Sequence, residues 1–177
     1  EYTIDTLSMY PVGPGTTYYE LRFLRADNGK GRMDAFLIAV DTRNPYVHVE
    51  QVLGTGKIIG TERPSKMAER STTENKIFFA GSNGDFFVTH GDVGLPVSTT
   101  IVNNEYAHTP VANRTARRLG ALDADGRGAT AYRHSISMKL VMGDQTLEIA
   151  HANYKRAENE LVLYNHHNGA TTATNAY

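Results

Sequence analysis

Apolar and polar residues alternate along much of this chain, and a two-residue period predicts strands rather than helices. Residues 46–53 carry that pattern, and 18–24 and the apolar run within 33–41 read as further strands. The Gly-Lys loop at 29–32 reads as a hairpin connection, and Asn44-Pro45 ends the second run. Further strands are expected at 77–80, 99–102, 119–123, 129–133, 135–142, 146–150 and 160–164, with Met142-Gly143-Asp144-Gln145 as a hairpin turn. One helix is expected near residues 62–73, with Thr61 as N-cap, Pro64 in the first turn, and Met67 and Ala68 facing inward. The fold class read from this is α+β: a strand-dominated mixed or antiparallel sheet with one main helix. Residues 1–16, broken by Pro and Gly, read as an N-terminal arm, and 17–177 as one domain. The apolar phases predict a core of Phe36, Ile38, Val40, Val47, Val49, Ile77, Phe79, Leu140, Ile149 and Leu163.

Composition narrows the picture mainly by exclusion. Forty per cent hydrophobic and 21% charged residues in 177 are ordinary for one globular domain. A net charge of −1 exerts no general pull on nucleic acid, so no nucleic-acid partner is expected. The sequence has no apolar run long enough for a transmembrane helix, about 18 residues. Cysteine is absent, which removes thiol catalysis, disulfides and thiolate metal sites. The chain opens on Glu1-Tyr2 with no visible signal peptide, which reads as a processed or trimmed product. No G-x-G-x-x-G, P-loop or G-x-S-x-G stretch supports nucleotide binding or a serine hydrolase. The seven histidines lack a spacing such as H-E-x-x-H, so neither metal nor cofactor is expected, although His90 and Asp92 form a candidate pair. Asn113-Arg114-Thr115 is a formal glycosylation sequon.

The most informative stretch is Ala80-Gly81-Ser82-Asn83-Gly84-Asp85-Phe86-Phe87. An apolar run stops at small residues, then offers an amide, a carboxylate and two aromatics, as a ligand-facing strand end would. The alternative is a tight turn in which Asn-Gly supplies positive φ and Asp85 makes an Asx bond. Downstream, Asn153 and Arg156 lie three residues apart; Arg156 is a candidate phosphate ligand or a surface partner of Glu158 or Glu160. Arg114, Arg117 and Arg118 form a basic cluster that would contact an anionic glycan or simply line a solvated loop.

The block Asn83-Gly84-Asp85-Phe86-Phe87 resembles the N-G-[GD]-F-F signature of the phosphodiester glycosidase family, the family of the lysosomal uncovering enzyme. Gly94-Leu95-Pro96, Asn103-Asn104-Glu105, Asp123-Ala124-Asp125-Gly126, the segment 149–156, Leu161-Val162-Leu163-Tyr164 and Thr171-Thr172-Ala173-Thr174-Asn175 resemble its later motifs in order. The opening Tyr10-Pro11-Val12-Gly13-Pro14-Gly15 is similar to secreted Bacteroides-type members, so the likeness spans residues 10–177. It implies hydrolysis of the C1–O bond of a sugar-1-phosphate diester, of the N-acetylglucosamine type, by a secreted, periplasmic or cell-surface glycosidase. By the same resemblance Asn83 and Asp85 are the catalytic candidates, and Gly84, Phe87, Asn153, Arg156, Thr174 and Asn175 the substrate-binding ones. The partner implied is a carbohydrate or sugar phosphate. The family pattern continues past Tyr177, so a C-terminal fragment or second chain is expected to complete the fold. A different class stays open: a noncatalytic glycan-binding or cell-surface domain on the same scaffold.

Overall fold

The computed structural model describes residues 2–25, 31–84, 86–109, 119–122, 128–131 and 136–172. These are strand-rich, with one short α-helix, and the chain divides into two compact units.

The first unit comprises Glu1–Val49, Thr72–Gly81 and Leu122–Arg127. Strands β1 (Tyr2–Gly13), β2 (Thr16–Arg25) and β3 (Arg32–Val40) form an antiparallel sheet in that order. The stretch expected to be an arm is therefore a full strand. Pro11, which lacks an N–H for the ladder, is accommodated because β1 is an outer strand. The register aligns Ile4, Phe23 and Met33, then Thr6, Leu21 and Ala35, then Met9, Tyr19 and Leu37, so one face is apolar. On the other face Asp5, Arg22 and Asp34 align. Arg22 and Arg32 both donate to the Asp34 carboxylate (2.9 and 3.1 Å) and hold its pKa far below the usual range, Arg32 contributing most.

Two expected strands do not form. Around 46–53 the Asn44 side chain accepts from Tyr46 N (3.0 Å) and its carbonyl from Val47 N (3.3 Å), an Asx turn that overrides the alternation. Around 77–80 the chain leaves a tight turn in which Thr73 and Lys76 exchange backbone hydrogen bonds. The Phe79 ring then fills the space where Gly13 has no side chain.

Of the ten expected core residues, Val47 is buried, and Ile38, Val40 and Ile149 are half-buried. Phe36 and Ile77 are 69% and 68% exposed, and Val49, Phe79, Leu140 and Leu163 are also exposed. The strand period assigns side chains to alternate faces but does not say which face is covered. Phe36 shares the face of Ser8 and Glu20, opposite the apolar one.

The second unit comprises Glu50–Ser71, Ser82–Ala121 and Gly128–Tyr177. Leu53, Ile58, Leu95, Val102 and Ala107 form its core, with Val88 and Tyr154 packed against them. Helix α1 (Pro64–Ser71) starts after Arg63, whose carbonyl accepts from Lys66 and Met67, so Thr61 is not the cap. Met67 and Ala68 are half-buried, in line with their expected inward phase. Arg70 in the last turn ties the helix to Glu62 (2.9 Å) and the Leu53 carbonyl (3.0 Å). Gly94, at φ 96°, lies against the Gly60 backbone so closely that a Cβ would strike the Gly60 carbonyl. The Gly-Leu-Pro motif thus has a structural reason: Gly94 makes the close approach, and Leu95 and Pro96 are buried.

Strands β4 (Thr100–Val102) and β5 (Glu105–His108) form a hairpin. Asn103 and Asn104 turn it with consecutive positive φ of 50° and 65°, as a type I′ turn requires. Strands β6 (Leu119–Leu122) and β7 (Gly128–Ala131) pair, as do β8 (Met138–Met142) and β9 (Gln145–Ile149) around Gly143. Two short parallel strands, β10 (His151–Ala152) and β11 (Val162–Leu163), close the unit.

Candidate functional site

The carboxylate and the C-terminal residues of the resemblance, Asp85, Thr174 and Asn175, lie outside the described residues, as do Arg114, Arg117 and Arg118. Asn83, Gly84 and Phe87 are exposed, on a segment with no assigned strand before it. Gly84 faces open space, since a Cβ there would meet nothing within 4 Å. The expected presentation of Asn83 at the end of a strand is therefore replaced by an exposed irregular loop. Just after it the chain turns sharply, with Val88 N donating to Leu95 O and Val97 N to Phe86 O (both 2.9 Å).

Asn153 occupies a different environment. It is 1% exposed, with a left-handed φ of 50°. Its Nδ2 donates to the Ala107 carbonyl (2.8 Å) and to Asn165 Oδ1 (2.6 Å), and its Oδ1 accepts from Asn165 N (3.0 Å). Asn165 Nδ2 in turn donates to the Tyr106 carbonyl (3.0 Å). The two amides thus tie β5 to the loop after β11, and the Asn153 amide is fully engaged within the protein. A buried, satisfied network of this kind fixes one geometry among several that packing alone would allow.

Beyond this amide the chain reaches Lys155 and Arg156. Lys155 Nζ pairs with Asp92 Oδ2 at 2.9 Å, so Asp92 serves Lys155 rather than His90, whose Nδ1 meets Thr89 Oγ1 (2.9 Å). The ion pair joins the 153–156 turn to the loop that follows the Asn-Gly-Asp-Phe-Phe block. Val88 and Tyr154, one from each segment, pack on the same core. Arg156 is half-buried and its Nε is shielded from solvent without a hydrogen-bond partner. Glu160, one expected partner of Arg156, instead accepts from Ala157 N (2.9 Å) and approaches His151 Nε2 (3.5 Å).

Two histidine groupings escape sequence reasoning because their members are far apart in the chain. His108 and His151 both pack on the Tyr154 ring, with centroids 5.6 and 5.5 Å away. Burial pushes the His108 pKa down to about 4; the hydrogen bond with the Asn153 backbone opposes this, and nearby His151 reinforces it. In the second grouping Glu105 Oε2 lies 3.5 Å from His166 Nδ1 and 3.4 Å from His167 Nε2. The two imidazoles sit side by side, centroids 3.9 Å apart. Burial, above all, and neighbouring His166 push the His167 pKa down, against the pull of Glu105. The adjacent His166-His167 pair is the available signal; its carboxylate partner sits in the Asn-Asn-Glu stretch, which the sequence offers only as one of the family-like motifs.

No family model matches the chain, and neither does any curated protein or solved structure. Among the described residues, no helix is long and apolar enough to cross a membrane.

Proposed function

We propose that the chain is a secreted glycosidase-like domain that hydrolyses the C1–O bond of a sugar-1-phosphate diester or a related surface glycan. The observation that carries this reading is Arg156, an arginine with a buried, unpartnered Nε on the turn anchored to the Asp92 loop. Leaving such a donor unpaired is costly, and a phosphate oxygen is the ligand a guanidinium fits best. The ordered motifs between residues 83 and 175 support the same chemistry.

Expulsion of a phosphate monoester needs little help from a general acid, because the leaving group is already stable. Charge stabilisation of the departing phosphate is then the larger contribution, and Arg156 supplies it. Asn83 would bind sugar hydroxyls, Asp85 would act as base or nucleophile at the anomeric carbon, and Thr174 and Asn175 would complete the sugar contacts. Asn153 contributes by fixing the turn that carries Arg156, since its own amide is engaged.

Turnover of a synthetic N-acetylglucosamine-1-phosphodiester, followed as released free sugar, tests the proposal. Arg156→Ala should lower kcat/KM by roughly a hundredfold, with Arg156→Lys recovering part of it. Turnover unchanged in Arg156→Ala overturns the assignment. The second reading, a noncatalytic glycan-binding surface, is favoured by the exposure of Phe86 and Phe87, since exposed aromatic rings are surfaces on which sugar rings stack. It predicts glycan binding without turnover, lost in Phe86→Ala and kept in Arg156→Ala.

A further inference from the structure

We propose that Glu105, His166 and His167 form a binding site for one zinc-class divalent metal ion. Their ligand atoms all lie within 4.8 Å of one another. A tetrahedral ion with bonds of about 2.1 Å to nitrogen and oxygen requires ligand atoms about 3.4 Å apart. The two carboxylate–imidazole separations, 3.5 and 3.4 Å, already match that spacing. A simple ion pair would close to hydrogen-bonding geometry; here the side chain of His167 is 92% buried, yet its Nε2 has no hydrogen-bond partner. That nitrogen lies 3.4 Å from Glu105 Oε2 without hydrogen-bonding to it, a separation that a shared ion would account for. Two imidazoles and a carboxylate are the donor set of zinc and its first-row neighbours, and leave a fourth position for water or a ligand oxygen.

The surrounding backbone holds this geometry before any ion arrives. Lys57 Nζ donates to the His166 carbonyl (2.6 Å), Ile58 N to the His167 carbonyl (2.9 Å), and His167 N to Asn165 Oδ1 (3.1 Å). Glu105 is fixed from the other side by the two-asparagine turn that opens β5. The ion would therefore clamp the β4–β5 hairpin to the loop after β11.

The test uses the untagged chain, stripped with chelator and titrated with Zn²⁺ by calorimetry, then with Co²⁺ by visible absorption. One equivalent should bind, with the intense d–d band of four-coordinate cobalt. Zinc at about a hundredfold excess over Kd should raise Tm by roughly 5–10 °C. Glu105→Gln, at an exposed carboxylate, should keep the fold and weaken binding at least about tenfold, and His167→Ala should abolish it. His48→Ala and His90→Ala, at exposed histidines, should leave binding unchanged. Failure to bind one equivalent overturns the proposal, as does binding insensitive to both Glu105→Gln and His166→Ala. These readouts do not depend on glycosidase turnover.

Discussion

Strands β1, β2 and β3 run for 12, 10 and 9 residues in near-continuous register, whereas among the described residues no strand of the second unit exceeds 5. The long strands nonetheless leave Ile4 59% and Met33 56% exposed, while the short ones surround the buried cluster of Leu53, Ile58, Leu95, Val102 and Ala107. Regular hydrogen bonding and burial are separate achievements. In the sheet, backbone pairing sets the architecture. In the second unit, close backbone approach and buried amides set it, and its specificity rests on individual residues. Substitutions there should be severe, and those on the sheet mild.

The largest effect is expected at Gly94. Alanine would meet the Gly60 carbonyl in a backbone conformation that disfavours a side chain, costing about 4 kcal/mol. Denaturant unfolding should show this loss, and a value below about 1 kcal/mol would mean that the backbone around Gly60 yields easily. Asn153→Ala should follow at about 3 kcal/mol, since it strands the Ala107 carbonyl and the Asn165 amide inside the protein. Asn153→Gly, which relieves the φ of 50° but not the lost hydrogen bonds, should recover only part of that loss.

How much of this contrast the sequence discloses depends on the range of the interaction. The hairpins and β2–β3 follow from alternation and turn residues, which are local. The helix was legible from Pro64 and the Met67-Ala68 phase, but its start was not, because Thr61 lies too far upstream of Arg63 to cap it. The candidate site was legible as residue types only. Arg156 could be picked out by its chemistry, but its pairing choices depend on Glu160 turning to His151 and on Lys155 reaching Asp92, 63 positions away. Likewise Glu105 and His166 are separated by some sixty residues, and the Asn153–Asn165 network helps to bring their segments together.

A smaller effect is expected from acid. The His108 pKa is lowered from 6.5 to about 4, so between those values the unfolded chain binds the proton and the folded one does not. The stability tied to neutral His108 is therefore complete above pH 6.5 and is lost as pH falls towards 4. By about pH 5 the loss should reach roughly 2 kcal/mol. His108→Gln, which does not titrate, should flatten that part of the stability curve, and an unchanged slope would assign it to other groups.

The smallest effects belong to the sheet, and they sharpen the comparison most. Ile4, Met9, Met33 and Leu37 share one face through the register and are all exposed. A side chain already in water loses little transfer free energy on replacement, so Ile4→Ser and Met33→Ser should each fall within about 0.5 kcal/mol of the parent. Phe36→Ser, on the opposite and more polar face, should behave alike despite the larger ring. The control is Ile58→Ala in the second unit, where a fully buried side chain should cost about 2–5 kcal/mol. If Ile4→Ser and Met33→Ser approach the Ile58 value while Phe36→Ser stays neutral, the apolar face is covered in solution and the contrast between the units reduces to one of strand length. If all three sheet substitutions stay neutral, backbone pairing and the Arg22–Asp34–Arg32 ion pairs hold the sheet without a covered face.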